Sequence, residues 1–200
     1  MANNTNELRR VSLPSNLWAL LPIRLFDNLT DLHMDCLGKA GLDLNFALHH
    51  TAHLKSLSLP FGSTDQEREI IAALHDNGST LTNIVSLQLR FHQQVSTSDE
   101  DRLFHFLRER RKLQRLYLEY AQPLNGPSDC HRKLFLLFKQ LPNLRVLGLD
   151  PCFPSPTENF QCSLFDILPP RLKAFHAKLE EVPLSELSLA TVTMLFFENL

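Results

Sequence analysis

No run of eighteen or more consecutive apolar residues occurs in the chain, so the sequence offers no membrane-spanning helix. The opening MANNTNELRR lacks the apolar stretch of a secretory signal. Neither sign of charge is in excess: 20 Lys and Arg stand against 22 Asp and Glu, a net charge of −2. That balance gives no general attraction to nucleic acid or anionic lipid. Cysteine is sparse, with Cys36, Cys130, Cys152 and Cys162 showing no paired rhythm and no zinc-knuckle spacing. In a chain without a signal these read as free thiols. The sequons at Asn3, Asn28 and Asn77 then read as coincidental. An intracellular chain, cytoplasmic or nuclear, with neither a membrane nor a nucleic-acid partner, is the expectation.

Catalytic signatures are also missing. There is no G-x-S-x-G, no P-loop, no G-x-G-x-x-G and no H-E-x-x-H. HHTAH sets His49 and His53 at i and i+4, a spacing that suits zinc on a helix, but supplies no third ligand and no carboxylate. A metal protein built on His49 and His53 is therefore a minor alternative to a polar helix end. RERRK, Arg108 to Lys112, is the only basic run. It fits cations at a helix C-terminus better than a nuclear-import or phosphate patch. No enzyme activity, cofactor or metal is expected.

What is present is a repeat. The template apolar-x-x-apolar-x-apolar begins at Leu54, Ile84, Leu113, Leu144 and Leu172, at intervals of 30, 29, 31 and 28 residues. Weaker copies begin at Leu8, Leu29 and Val192. The template alone carries little weight, since roughly eight matches are expected by chance in so apolar a chain. The segments between the copies carry more. TDQEREIIAALHDNG opens with a Thr64-x-x-Glu67 capping box, sets Ile70, Ile71 and Leu74 on one face and stops at Asn77-Gly78. STSDEDRLFHFLRERRK has acids in its first turn, cations in its last, and Leu103, Phe104 and Leu107 on one face. Ser128 or Asp129 can cap a helix carrying Leu134, Leu137, Phe138 and Leu141, and Thr157 can start another that ends before Pro169. Strand, loop, helix and loop recur at nearly constant length.

LKSLSL, IVSLQL, LQRLYL and LRVLGL resemble a leucine-rich repeat protein of the ribonuclease-inhibitor-like kind, most cleanly from 54 to 177. The family often has Asn or Cys three residues after the last strand leucine, and here only Asn16 and Cys152 match. The resemblance implies an α/β solenoid, a single domain over 1–200 of about seven to eight repeats. Parallel strands pack about 4.8 Å apart and helices about 10 Å, so stacking curves the array, with the parallel sheet on the concave side and helices on the convex side. Neither end carries a polar capping repeat, which also fits a piece of a longer array. Leu13-Pro14 resembles the start of an F-box, but Leu13 already closes the first strand, so 13–26 reads as the convex link of the first repeat with Trp18 in its core. The arrays of fungal F-box leucine-rich repeat proteins are similar, and they select substrates for a cullin-based ubiquitin ligase. That likeness implies substrate recognition, with a structural module lacking any partner as the alternative.

LQRLYLEY holds the only two tyrosines in the chain, Tyr117 and Tyr120. With Leu113, Leu116 and Leu118 turned inward, Arg115 and Tyr117 face out, and Tyr120 is placed in the loop at the rim. The outward positions of two neighbouring repeats bring together Gln88, Arg90, Phe91, Arg115, Tyr117, Glu119 and Tyr120. Tyr and Arg are the types most enriched at binding hot spots. These seven residues are the candidate site, with a protein partner on the concave sheet.

Overall fold

The computed structural model describes residues 10–13, 23–34, 44–60, 63–91, 96–120, 128–150, 169, 171–177 and 194–197. The helix expected after Thr157 lies outside them, as do Trp18, Asn3, Cys36, Cys152 and Cys162. In chain order the elements are β1 (Arg10–Leu13), α1 (Ile23–Phe26), β2 (Asp31–Met34), α2 (Leu44–His49), β3 (Ser56–Leu59), α3 (Thr64–Asp76) and β4 (Ser86–Phe91). There follow α4 (Thr97–Arg108), β5 (Arg115–Tyr120), α5 (Ser128–Lys139), β6 (Val146–Asp150), β7 (Ala174–Ala177) and β8 (Met194–Phe197). The protein is α/β, and the eight strands among the described residues form one all-parallel sheet in the order of the chain.

Register follows the leucine pattern. Val11, Leu32, Leu57, Leu87, Leu116, Leu147, Phe175 and Leu195 pair in one continuous row across the sheet. From Leu32 to Phe175 that row is buried, as are Leu59, Leu89, Leu118 and Leu149 two residues further on. Each such side chain contributes about 1.5–3 kcal/mol by leaving water. A slip of one residue would turn the whole row to the opposite face, so the register is strongly specified. The intervening residues of β4 are half-buried, so one face of the sheet is core and the other is open.

The same hydrogen bonds recur before each strand. The carbonyls of Thr30, Lys55, Val85, Gln114 and Arg145 each accept two N–H groups from the start of the following strand. Asn83 Nδ2 donates to the Ala52 carbonyl at 3.1 Å, and Asn143 Nδ2 donates to the Arg111 carbonyl at 2.7 Å. These bonds stack the turns that lead into the strands and satisfy backbone groups left over by the sheet ladder.

The helices bury the faces read from the sequence: Ile70, Ile71 and Leu74 in α3, Leu103, Phe104 and Leu107 in α4, Leu134, Leu137 and Phe138 in α5. Neighbouring helices pack in order, α2 on α3, α3 on α4 and α4 on α5. The capping box of α3 sits one residue earlier than Thr64/Glu67. Ser63 is the N-cap and its N–H donates to Gln66 Oε1 at 2.8 Å, while Glu67 is buried. The stop at Asn77-Gly78 works through Asn77, whose buried side chain donates to the Ala73 carbonyl at 2.9 Å and to Asn45 of α2.

RERRK contains a residue of a different kind from its neighbours. Three positions before Leu54, Ile84, Leu113 and Leu144, which open the copies of the template, the turns place the buried residues Thr51, Leu81, Arg110 and Leu141. Arg110 Nε donates to the Phe106 carbonyl at 3.1 Å, Nη1 donates to the Gly78 carbonyl, and the guanidinium lies 4.6 Å from the Phe106 ring centre. It thus closes the C-terminal ends of two adjacent helices, where the helix dipoles favour a cation. Burial lowers its pKa from the usual guanidinium value, partly offset by the nearby Glu109 carboxylate. A Cβ at Gly78 would crowd the His75 carbonyl at 3.1 Å, while Arg110 Nη2, at 3.5 Å, would be in ordinary contact with it.

Candidate functional site

β4 and β5 pair Ser86 with Arg115, Gln88 with Tyr117, Arg90 with Glu119 and Phe91 with Tyr120. Both strands run six residues, which adds two register pairs, Arg90 with Glu119 and Phe91 with Tyr120, beyond the four-residue strands such as β3. The residues expected as a site therefore fall on adjacent strands.

Their roles differ. Arg90 Nε donates to Glu119 Oε2 at 2.8 Å, and both side chains are about one-third exposed. This is a cross-strand ion pair that neutralises itself and, at that exposure, contributes only about 0.2–1 kcal/mol. Gln88 Oε1 accepts from Ser58 Oγ at 3.3 Å, which fixes the amide and satisfies the nearly buried hydroxyl. Arg115 is exposed and forms no ion pair with any described residue.

Tyr117 is half-buried, and its ring leans over β6. A Cβ built on Gly148, its register partner, would overlap the ring edge, lying 2.9 Å from Cε1 and 3.3 Å from Cγ. The ring occupies the space a side chain would take, and Gly148 is buried beneath it. An aromatic laid over a strand glycine restores the cross-strand contact the glycine lacks. Tyr117 is therefore both part of the sheet's packing and part of its open surface.

Two of the seven expectations are corrected. Phe91 is fully buried. It continues the alternation Leu87, Leu89, Phe91, so the extra turn of the pleat sends it to the core side. Tyr120 is the last residue of β5, paired with Phe91, and not part of a rim loop. Sequence reading also passed over Gly148 as a contact, although a glycine inside a strand is a signal for close approach.

The helical basis of the His49/His53 spacing is absent. α2 ends at His49, and His53 lies in the following turn, so the two are not one helical turn apart. His49 sits edge-on to His50, with ring centres 5.4 Å apart. Among the described residues no three His, Cys, Asp or Glu side chains are grouped to hold a metal ion, and no helix is long and apolar enough to cross a membrane. The face offers contact chemistry: a cation with no ion pair among the described residues, a leaning ring, an anchored amide and a neutral ion pair. In comparisons with known proteins, neither a family model nor a curated sequence matches the chain.

Proposed function

We propose that the chain is a leucine-rich repeat solenoid that binds a protein partner, without catalysis, on the open face of its sheet. The observation that supports this most directly is the unbroken in-register row of core residues, which leaves the alternate positions as continuous rows on the other face. In this reading the sheet lines the concave side of the array, and Gln88, Arg115 and Tyr117 make the central contacts. Arg90 and Glu119 border them as a neutral pair, and the buried Phe91 supports β4 from behind. The likeness to fungal F-box leucine-rich repeat proteins makes the occupant a substrate for ubiquitination.

The test compares proteins retained by the intact chain, by an Arg115→Ala/Tyr117→Ala variant, and by a helix-side control, Arg68→Ala/Lys133→Ala. At least one protein should be held by the intact chain and the control and lost about tenfold from the face variant. A photo-crosslinking residue at Gln88 should then attach to that same protein. Equal recovery by all three versions overturns the reading.

A further inference from the structure

A second surface lies along the N-terminal ends of the strands, outside the face described above. The turns and strand starts at 52–58, 82–88, 111–117, 142–148 and 171–176 contain no Asp or Glu. They carry Lys55, Arg111, Lys112, Arg145, Arg171 and Lys173, every one of them exposed. Arg115 extends the series onto the open face. Stacking brings these residues together, because the Arg145 N–H donates to the Gln114 carbonyl and the Lys173 N–H to the Arg145 carbonyl. Lys112 Nζ donates to Asn83 Oδ1 at 2.7 Å, a neutral acceptor. Lys55, Arg111, Arg145 and Arg171 form no ion pair with any described residue, although Arg90, Arg68, Arg102 and Lys133 elsewhere are each paired with a carboxylate.

We propose that this rim docks a short acidic segment of a partner polypeptide, its Asp and Glu carboxylates meeting the row of cations. From β3 to β7 the rim spans four strand steps, about 19 Å, the length of about six extended residues. The net charge of the whole chain is −2, so the surface beyond the rim is net acidic and limits how long a polyanion can lie there. That favours a short acidic stretch over a nucleic-acid strand. Among the described residues the large apolar side chains that are exposed, Phe46 and Leu136, lie on the helices, so the described part of the rim offers no large apolar side chain to a lipid surface.

The experiment uses the full chain and a fluorescein-labelled eight-residue peptide of Glu and Gly, read by anisotropy at 50 mM salt. The acidic peptide should bind, weaken severalfold at 200 mM salt, and lose about 30-fold in affinity on Lys55→Gln/Arg111→Gln/Arg145→Gln/Arg171→Gln. Removing the same charge elsewhere, by Arg24→Gln/Arg68→Gln/Arg102→Gln/Lys133→Gln, should change affinity less than twofold. Tyr117→Ala should also leave it unchanged, which separates this rim from the open-face contact. Circular dichroism establishes that each variant is folded before it is scored. The proposal is overturned by absence of binding, by equal loss in the two quadruple variants, by no loss in either, or by tighter binding of oligothymidylate or phosphatidylserine vesicles than of the peptide.

Discussion

Adding one methyl group at Gly148 should have opposite effects on stability depending on whether Tyr117 is present. In the intact protein, the Cβ of Gly148→Ala enters space held by the tyrosine ring, 2.9 Å from Cε1 and 3.3 Å from Cγ. The ring cannot pass through the strand, so it must swing away, losing its contact with β6 and exposing apolar surface. Overpacking of this kind costs about 1–3 kcal/mol. In a Tyr117→Ala background the space is open. Gly148 has no left-handed φ and pairs on both sides as ordinary strand, so alanine fits its backbone. There the substitution should stabilise by about 0.4–1 kcal/mol, because alanine restricts the unfolded chain. The coupling between the two sites should thus be about 1.5–4 kcal/mol. Urea unfolding of the four proteins of the cycle, followed by far-ultraviolet circular dichroism with unchanged m values, measures it. If Gly148→Ala has the same sign in both backgrounds, the ring does not occupy the glycine's space, and this account of Tyr117 is wrong.

Two further perturbations address the turns. Arg110→Ala should cost about 2–5 kcal/mol, since it leaves the carbonyls of Phe106 and Gly78 short of a donor and opens a cavity. Arg110→Leu, which matches Leu81 and Leu141 in the stacked turns, should recover roughly half of that loss by refilling the space, as thermal unfolding would register. Asn77 stands in the sequon Asn77-Gly78-Ser79, yet its amide nitrogen is buried and donates to the Ala73 carbonyl and to Asn45. Expression through a secretory route, followed by peptide mass mapping, should therefore find no glycan at Asn77 on folded protein, and a fully modified Asn77 would contradict the placement.

The period of the leucines was sufficient to locate the strands, and helical spacing the core faces of α3, α4 and α5, because each rests on local pattern. The parallel order was an expectation from the leucine-rich repeat resemblance, and the core faces of α1 and α2 were not foreseen. The outcome at Phe91 depended on more. Whether a strand runs four residues or six is decided by pairing with its neighbour, and β4 extends because β5 does. Once extended, simple alternation puts Phe91 inside, two residues after Leu89. Arg110 was harder still. Its burial requires the ends of α3 and α4 to meet, and those ends are separated in the chain by 32 residues between Gly78 and Arg110. In RERRK alone, Arg110 is indistinguishable from Arg108 and Arg111, which are exposed. Tyr117 lay between these cases: its outward direction was legible, but its lean over Gly148 needed the register with β6.

Register also decides which charges on the open face remain for a partner. Arg10 and Asp31 are register partners and meet at 3.4 Å; Arg90 and Glu119 are register partners and meet at 2.8 Å. In-register stacking thus cancels charge in pairs, and Arg115 is left over because Ser86 and Val146 flank it. Glu119→Gln would release Arg90 and add a second uncompensated cation one residue pair beyond Tyr117. Because both partners are about one-third exposed, the change should alter unfolding free energy by no more than about 1 kcal/mol. Its effect on binding should be larger and should report the sign of the partner. A partner that presents a carboxylate to Arg115 should gain severalfold in affinity, with the gain shrinking as salt rises. A partner that presents a cation near Glu119 should lose by a similar factor. If stability instead falls by more than about 1.5 kcal/mol, the pair is part of the framework, and the open face has fewer independent contacts than its exposure suggests.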